Sequence, residues 1–428
     1  MAKVLIETYG CTLNQADSAL MGGLLEKAGH TVEYGSYASE HYDSYDLVVV
    51  NTCTVKTPTE QKILNRIGAM NSLGTKLIVA GCLAGASQKD IEAAAPNACI
   101  INTRSVTRIA EAASEALSGR RVVYSDNSIK DKLVFFSPQS SVIAKVPISE
   151  GCLSNCSFCE TKFARGPLNS FSEELIIKAI KNSVARGAKE IELTSQDTGA
   201  YGIDKKTNIA ELLEKATALE GDFKIRLGML NPEHLHRYFD RLVEVYKSDK
   251  LYKFVHLPVQ SGSNCVLKSM KRNYTIEEFK RYVEELRSKV KGISVETDII
   301  VGYPTETRDD FEESISLLQS IRPEVTNISK FGARPHAPAS KLKQLKNSEI
   351  KARSIEISRL ARQIQAEQRS ALVGTVQKVL VTEENARSFT GRTDSYISVA
   401  LEKGSANISI GAYTIARIRG STSACLLA

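Results

Sequence analysis

The stretch Gly151-Cys152-Leu153-Ser154-Asn155-Cys156-Ser157-Phe158-Cys159 carries three cysteines within eight residues. It follows the apolar run Ile143–Pro147, which is typical of a β-strand. Three thiolates on one loop suit a cubane [4Fe–4S] cluster and leave its fourth iron open to a small molecule. A zinc site normally takes four protein ligands, and this loop has no fourth cysteine or histidine. Buried structural thiols are the alternative, which such close spacing disfavours.

A strand-then-helix order surrounds this loop from residue 142 to about residue 318. Such a repeat predicts a barrel or partial barrel, with its site at the carboxyl ends of the strands. The first ~120 residues alternate in the same way and predict a parallel sheet. After a long charged helical stretch, the last ~55 residues alternate apolar and polar positions, which predicts a small antiparallel β-barrel or sandwich. The fold class is therefore α/β with a small all-β domain at the end.

A second set of cysteines lies far apart in the sequence but at equivalent positions. Cys11, Cys53 and Cys82 each follow an apolar run that is predicted to be a parallel strand. Parallel strands open their carboxyl ends onto one edge of a sheet, where α/β proteins build their sites. The three thiols are therefore predicted to meet and hold a second cluster. The alternative is that they are small apolar residues at strand ends.

Composition restricts the class of protein and its surroundings. Nine cysteines, an odd number in 428 residues, argue against a disulfide framework. No apolar run has the ~18 residues of a membrane span, and no signal-peptide pattern begins the chain. We therefore expect a cytoplasmic protein without a membrane anchor.

Positive charge is concentrated at the end of the chain. From Lys330 to Ala428 there are 16 Lys and Arg against 7 Asp and Glu, a net charge of +9, so the preceding residues carry −2 of the total +7. Such an excess favours a polyanionic partner, and a solvated basic helix is the alternative.

At these six cysteines the sequence resembles the methylthiotransferase family of radical S-adenosylmethionine (SAM) enzymes, and the resemblance runs nearly end to end. Three further stretches are similar to that family: Leu193–Gly202, His256–Ser263 and Asp298–Glu306. The resemblance implies a flavodoxin-like N-terminal methylthiotransferase domain at residues 1–120, a partial (β/α) barrel forming the radical SAM core at 138–370, and a TRAM RNA-binding barrel at 371–428.

The resemblance also implies two [4Fe–4S] clusters and SAM as cofactors. Cys152, Cys156 and Cys159 would hold the cluster whose free iron binds SAM, and the other cysteine trio would hold an auxiliary cluster that carries sulfur. Such enzymes cleave SAM to a 5′-deoxyadenosyl radical and place a CH3–S group on C2 of an adenine. A second SAM supplies the methyl group. A low-potential electron donor and a sulfur donor are implied as partners.

The substrate is predicted from the residues after the first cysteine loop. Glu160-Thr161-Lys162-Phe163-Ala164-Arg165-Gly166 resembles the archaeal and eukaryotic branch that acts on threonylcarbamoyladenosine at position 37 of tRNA. Two alternatives keep the chemistry and change the target to isopentenyladenosine in tRNA or an aspartate of a ribosomal protein. An alternative of another class is a non-catalytic iron–sulfur RNA-binding protein.

Polar residues at the ends of barrel strands are candidates for binding SAM. Ser195, Gln196 and Asp197 would hydrogen-bond SAM, or form a polar turn. Arg226 would pair with the SAM carboxylate, which suits a bidentate guanidinium, or form an interior salt bridge.

Further candidates surround the same predicted cavity. Gln260 and Asp298 would contact SAM, or have a structural hydrogen-bonding role. Phe158 would pack over the cluster or the SAM adenine, or in the core. His256 is expected to be a hydrogen-bonded barrel histidine, because hydrogen-atom abstraction needs no general base.

Side chains near the end of the chain are candidates for binding RNA. Tyr396 and Phe389 would stack on bases, or pack in the core of the small domain. The basic side chains predicted to bind phosphates are Lys341, Lys343, Lys346, Arg392, Arg417 and Arg419.

Overall fold

The computed structural model of the chain describes residues 1–35, 42–54, 57–125, 131–136, 141–404 and 408–428. Two α/β units with parallel strands are followed by a mainly antiparallel sheet, which confirms the predicted fold class.

The first unit is a parallel sheet with helices on both faces. Its elements are β1 (Lys3–Thr8), α1 (Thr12–Lys27), β2 (Thr31–Gly35), β3 (Leu47–Thr52), α2 (Thr57–Ser72), β4 (Leu77–Gly81), α3 (Cys82–Ala86), α4 (Gln88–Ala94), β5 (Cys99–Ile101), α5 (Ile109–Leu117) and β6 (Val123–Tyr124). The strand order β2-β1-β3-β4-β5-β6 is the flavodoxin-like order with one strand added. Every residue of β3 is buried, because Val49 packs with the α1 side and Val48 with the α2 side.

The second unit is a partial barrel. Its elements are β7 (Ile143–Pro147), β8 (Ser149–Glu150), α6 (Thr161–Arg165), β9 (Asn169–Ser170), α7 (Glu173–Ala185), β10 (Glu190–Thr194), α8 (Ile209–Thr217), β11 (Lys224–Leu227), α9 (Pro232–Leu235), α10 (Phe239–Val245), β12 (Phe254–His256), α11 (Asn264–Ser269), α12 (Ile276–Lys289), β13 (Ser294–Val301), α13 (Arg308–Ile321), β14 (Val325–Lys330) and α14 (Asn347–Ser370). Two parallel sheets, β11-β10-β7 and β12-β13-β14, form its wall. They are joined by backbone hydrogen bonds from Tyr252 to Ile225 (3.0 Å) and from Leu230 to His256 (2.9 Å).

Alternation along the barrel strands decides which side chains face the interior of the barrel. In β13, Val295 and Ile299 are fully buried against the surrounding helices. Glu296 and Asp298, at the alternate positions, are only partly buried and face the lumen. Polar residues at every second position therefore line the interior.

The last unit is a small sheet built from β15 (Val376–Glu384), β16 (Ser388–Thr393), β17 (Ser398–Glu402), β18 (Tyr413–Arg417), β19 (Gly420–Ser421) and β20 (Leu426–Leu427). Its order is β18-β15-β16-β17-β20-β19, with a core that includes Val379, Val399 and Leu426.

The turn between β16 and β17 docks onto the barrel at the starts of its strands. Lys253 donates its backbone N–H to the carbonyl of Asp394 (2.8 Å), and Ser294 Oγ donates to the carbonyl of Ser395 (2.6 Å). Lys224, the first residue of β11, forms an ion pair with Asp394. The small sheet therefore covers the base of the barrel, opposite the carboxyl ends of the strands.

Candidate functional site

Cys11, Cys53 and Cys82 meet at the carboxyl edge of the first sheet. They follow β1, β3 and β4, and the strand order reverses between β1 and β3. Asn14 Oδ1 lies 3.5 Å from the sulfur of Cys11 and 3.8 Å from that of Cys82. Cys53 and Cys82 are buried, whereas Cys11 is exposed. The three thiols therefore line a crevice with one open side.

Two glycines make this approach possible. Gly10 has φ +109°, and a Cβ there would lie 2.8 Å from Cys53 Cβ and 3.0 Å from its sulfur. Gly81 has φ +94°, and a Cβ would lie 2.4 Å from the side-chain oxygen of Asn51. Only glycine adopts this backbone without strain, and a side chain would collide with Cys53 at position 10 and with Asn51 at position 81.

Cys152, Cys156 and Cys159 lie on the loop after the first barrel strand. The Cys152 amide donates to the carbonyl of Gly166 (3.1 Å), and the Cys159 amide donates to the carbonyl of Cys156 (3.2 Å). Ser157 anchors the loop to the end of α11 by donating its amide to the carbonyl of Met270 (3.0 Å). Cys152 and Cys156 are half-buried and Cys159 is exposed, so this trio is also open on one side.

Two buried arginines donate hydrogen bonds to cysteine sulfurs. Arg165 Nε lies 3.1 Å from the sulfur of Cys82, and Arg272 Nη1 lies 3.5 Å from that of Cys156. The backbone N–H of Thr161 points at the sulfur of Cys159 from 3.4 Å. A donor aimed at sulfur stabilises the thiolate form, which is the form that binds metal.

Burial raises the pKa of the Cys82 thiol to about 12, although Arg165 opposes that rise. The neighbouring thiols Cys11 and Cys53 raise it further. Burial also raises the pKa values of Cys152 and Cys156. Because only the thiolate binds metal, a bound metal must displace these protons, and the hydrogen bonds that the sulfurs accept favour that step.

Neither cysteine trio is as compact as the ligand set of a single metal ion. Among the described residues, only His256, Glu296 and Asp298 form a trio of ligand groups whose atoms all lie within 4.8 Å. Thiolates around one zinc lie about 3.8 Å apart, because each Zn–S bond is about 2.3 Å long. In a cubane each thiolate binds a different iron atom, so its ligands are wider apart. Three thiolates with one open side are the donor set of a cluster whose fourth iron is open, and both cysteine trios fit that description.

Glu160 ties the two cysteine loops together. It follows Cys159 directly, and its carboxylate accepts hydrogen bonds from Thr54 Oγ1 (3.3 Å) and Arg334 Nε (3.0 Å). Thr54 follows Cys53, and Arg334 also donates to Thr54 Oγ1 (2.6 Å). Residues adjacent to both trios thus share one buried network.

Ser195, Gln196 and Asp197 form the turn after β10. Ser195 Oγ accepts from the Asp197 amide (3.1 Å), and Asp197 Oδ1 accepts from the amides of Gly199 (2.9 Å) and Asn231 (3.0 Å). The buried Oε1 of Gln196 and the buried Oδ2 of Asp197 both lack a hydrogen-bond partner among the described residues, although Asp197 Oδ2 lies 3.4 Å from His234 Nε2. The geometry favours the polar-turn alternative for Ser195 and for Asp197 Oδ1, and leaves Gln196 suited to a ligand.

Arg226 lies in the lower half of the lumen. Its guanidinium carbon is 5.3 Å from the ring centre of Phe254 and 5.7 Å from that of Tyr396. No acidic partner within salt-bridge distance is found among the described residues, and its buried Nε lacks a hydrogen bond there. The interior salt bridge considered from sequence is therefore wrong, and aromatic stacking takes its place.

Asp298 belongs to a polar group on the lumen wall. Its Oδ1 accepts from His256 Nε2 (3.1 Å) and from Asn327 Nδ2 (2.8 Å). Gln260 has φ +73° and bridges to β13, donating its amide to the Asp298 carbonyl (2.8 Å). His256 is hydrogen-bonded, as expected. For Gln260 and Asp298, these bonds favour a structural role over contact with SAM.

Phe158 is half-buried between two cysteines of its loop. Its ring packs against a small apolar cluster that includes Val266, Met270 and Tyr303. This contact favours the core-packing alternative.

Most of the predicted RNA-binding side chains are exposed, namely Lys341, Lys343, Lys346, Arg417 and Arg419. Arg392 is half-buried instead, with its guanidinium carbon 5.3 Å from the ring centre of Tyr396. Its position at the junction with the barrel favours an interdomain role over RNA binding.

Tyr396 does not lie on the surface. Its hydroxyl donates to Glu190 (2.9 Å) and Glu192 (3.1 Å), and its ring centre lies 4.9 Å from that of Tyr252 and 5.0 Å from that of Phe254. Burial, followed by these glutamates, raises its pKa. The predicted stacking of Tyr396 on RNA bases is wrong, because the ring fills the base of the barrel.

Sequence reasoning did not assign Asn14, Arg165 or Arg272 to the site. Arg165 lies in the stretch that resembles the substrate branch, and Asn14 follows Cys11 by three residues. The sequence near each of these two residues could therefore have pointed to the site. Arg272 had none, because only the fold brings it to Cys156. In the described part of the chain, no helix has the length and apolarity needed to cross a bilayer.

Comparison with known proteins identifies both α/β units. A family model described as the Radical SAM superfamily matches residues 146–318, and one described as Uncharacterized protein family UPF0004 matches residues 3–102. Among solved structures, the radical SAM methyltransferase TsrM from Kitasatospora setae superimposes with a TM-score of 0.59 at 14% identity, covering 88% of this chain and 80% of TsrM. The radical SAM enzyme OxsB gives a TM-score of 0.53 at 14% identity, covering 85% of this chain and 56% of OxsB. Both share the fold.

The barrel and its cysteine loop define the chain as a radical SAM enzyme, a class that uses SAM and iron–sulfur chemistry. The chain is 41% identical over 433 residues to the "Probable threonylcarbamoyladenosine tRNA methylthiotransferase" of Pyrococcus abyssi, covering 100% of this chain and 99% of the relative. It is 33% identical over 417 residues to the human threonylcarbamoyladenosine tRNA methylthiotransferase, covering 94% of this chain and 69% of the relative. The chain belongs to the threonylcarbamoyladenosine tRNA methylthiotransferase family.

Proposed function

We propose that this chain adds a methylthio group to C2 of N6-threonylcarbamoyladenosine at position 37 of tRNA, giving the 2-methylthio derivative. The observation that carries the proposal is the convergence of Cys11, Cys53 and Cys82 beside a radical SAM barrel with its own cysteine trio. A radical SAM enzyme that only abstracts hydrogen needs one such trio. A second trio meets the need for a sulfur carrier.

Each trio would hold one [4Fe–4S] cluster. Cys152, Cys156 and Cys159 would hold the SAM-binding cluster, and the trio of the first sheet would hold the auxiliary cluster. When bound, these cofactors supply SAM cleavage and the sulfur unit, with one SAM used for the radical and one for the methyl group. The buried Oε1 of Gln196 would accept a hydrogen bond from SAM.

The protein's own contribution is placement and exclusion of water. The Glu160 network joins the two cysteine loops, so that the two trios keep a constant separation. Tyr396 fills the base of the barrel, so that substrate and solvent would enter only from the side of the cysteine loops. A reactive radical formed in such a chamber is shielded from bulk solvent.

We divide the chain into a methylthiotransferase domain at residues 1–120, a radical SAM domain at 138–370 and a TRAM domain at 371–428. Residues 137–140, where the proposed radical SAM domain begins, lie outside the described part of the chain. Lys341, Lys343, Lys346, Arg417 and Arg419 would contact the tRNA backbone. A low-potential electron donor, a sulfur donor and a cytoplasmic location complete the proposal.

The test uses anaerobically reconstituted full-length protein with SAM, a reductant and tRNA that carries N6-threonylcarbamoyladenosine. Digestion and mass spectrometry should find the nucleoside heavier by CH2S, together with 5′-deoxyadenosine. The Cys82→Ala variant should still form 5′-deoxyadenosine but no methylthio product. Cys99→Ala is the matched control, because Cys99 is a buried cysteine of the same sheet that lies outside the crevice.

Three other outcomes would contradict the proposal. Methylthiolation of isopentenyladenosine in tRNA, or of an aspartate in a ribosomal protein, would keep the chemistry and change the substrate. Binding of tRNA without any 5′-deoxyadenosine would identify a non-catalytic iron–sulfur RNA-binding protein.

A further inference from the structure

Arg165 is a fully buried cation between the two cysteine trios. It ends α6, which begins two residues after Cys159, and its side chain has no exposed surface. Its Nε lies 3.1 Å from the sulfur of Cys82. Its Nη1 donates to Glu150 (2.9 Å), and its Nη2 donates to Asn14 (2.9 Å). All three nitrogens of the guanidinium are therefore engaged.

A second cation balances the charge around Arg165. Asp17 lies 3.0 Å from Arg165 Nη2, and Lys132 joins Asp17 (2.9 Å) to Glu150 (2.6 Å). Two cations and two carboxylates, each almost fully buried, thus compensate one another. A buried network of this kind is stable only when every member keeps its partners, so the guanidinium is held in one orientation.

The backbone around Arg165 is held against the first unit. Ala164 packs on α3, where a Cβ at Gly85 would lie 2.6 Å from its carbonyl oxygen. Arg104 Nε donates to the carbonyl of Arg165 (3.2 Å). Because α3 begins at Cys82, this contact joins the segment after one cysteine trio directly to a ligand of the other.

We propose that Arg165 is a positioning residue that donates a charged hydrogen bond to the Cys82 sulfur of the auxiliary cluster, and so sets its reduction potential and its position relative to the barrel. This inference rests on the proposed function, which places a cluster at Cys11, Cys53 and Cys82. Hydrogen bonds to cluster sulfurs withdraw electron density and raise the reduction potential. A lysine cannot replace the planar guanidinium, because one ammonium group cannot donate to a sulfur, an amide and two carboxylates in these directions.

The test isolates the auxiliary cluster in the full-length chain. Cys152, Cys156 and Cys159 are replaced by alanine, so that only one cluster is reconstituted. Its midpoint potential is then measured by redox titration followed by electron paramagnetic resonance. Arg165→Met should shift the midpoint to a more negative potential than that of the parent.

Lys132→Met is the matched control, because it removes a buried cation of the same network that does not contact sulfur. Its midpoint should move less than that of Arg165→Met. Arg165→Lys keeps the buried charge and loses the Nε donor, so it is less prone to misfold than Arg165→Met. Its midpoint potential should also be more negative than that of the parent.

Equal midpoints in the parent and in either Arg165 variant would overturn the inference. An equal shift in Lys132→Met and Arg165→Met would also overturn it, because the effect would then come from charge alone. A parent without any reducible cluster would overturn the proposed function, and the inference with it.

Discussion

Gly10 shows how one residue controls the crevice. It has a positive φ directly before Cys11, and its missing Cβ leaves the space in which the Cys53 side chain lies. The cysteine sulfurs also depend on individual residues, because Cys82, Cys156 and Cys159 each accept a hydrogen bond from one donor group. At this scale the site depends on backbone conformation and on hydrogen bonds to sulfur.

Gly10→Ala should abolish the auxiliary cluster. The left-handed backbone costs about 1–2 kcal/mol for an L-residue, and the new Cβ also meets Cys53. Iron content after reconstitution should fall by about half, since one of two cubanes is lost. Gly29→Ala is the control, because Gly29 has φ +87° and a Cβ there would meet nothing within 4 Å, so its iron content should match the parent's. Full iron loading in Gly10→Ala would contradict this account.

The turn between β16 and β17 is the element that closes the barrel. It contacts the starts of β10, β11, β12 and β13, and Tyr396 is its central side chain. Burial, and then Glu192, raises the pKa of Glu190, while donors from Tyr396 and Tyr252 oppose the rise. Loss of Tyr396 would therefore leave buried carboxylates short of donors as well as opening a cavity.

Tyr396→Ala should destabilise the barrel by about 3–5 kcal/mol, as expected for a buried aromatic residue replaced by alanine. Hydrogen exchange should become faster at residues 252–256 and 394–397, and the melting temperature should fall. Tyr396→Phe should cost about 1–2 kcal/mol, because only the hydroxyl is lost.

Phe389→Ala provides the control for this element. Phe389 packs at the edge of the core of the small sheet, so its loss should speed exchange there and leave residues 252–256 unchanged. Equal exchange at the barrel base in Tyr396→Ala and the parent would refute the closing role.

Across the whole molecule, burial divides the cations into two groups with different partners. The residues from Lys330 onward carry +9, and most of the predicted RNA-binding cations among them are exposed. The cations near the cysteine trios, Arg165, Arg272 and Arg334, are buried and already engaged. Exposed cations are thus available to a polyanion, whereas the buried ones organise the site.

Neutralising Lys341, Lys343 and Lys346 together by glutamine should weaken tRNA binding and flatten its salt dependence. Each lost phosphate contact lowers the slope of log K against log salt by about 0.7–0.9, so three contacts lower it by about 2–3. Filter binding at several salt concentrations measures this slope.

Lys178, Lys181 and Lys289 offer a control with the same change of net charge. They are exposed on outer helices of the barrel, and their replacement by glutamine should leave the slope near the parent's. Equal slopes for the two triple variants would exclude a specific contact.

The sequence alone was enough to predict features that depend on neighbouring residues or on the order of the strands. The C-x3-C-x2-C trio lies on one loop, and the edge rule for parallel strands brought Cys11, Cys53 and Cys82 together. Only the tertiary structure decided which groups surround the sulfurs and what fills the barrel. Arg165 meets Cys82 across 83 residues, Arg272 meets Cys156 across 116, and Tyr396 meets Glu190 across 206. Such contacts follow from how packed units dock, and side-chain type and local spacing do not encode that.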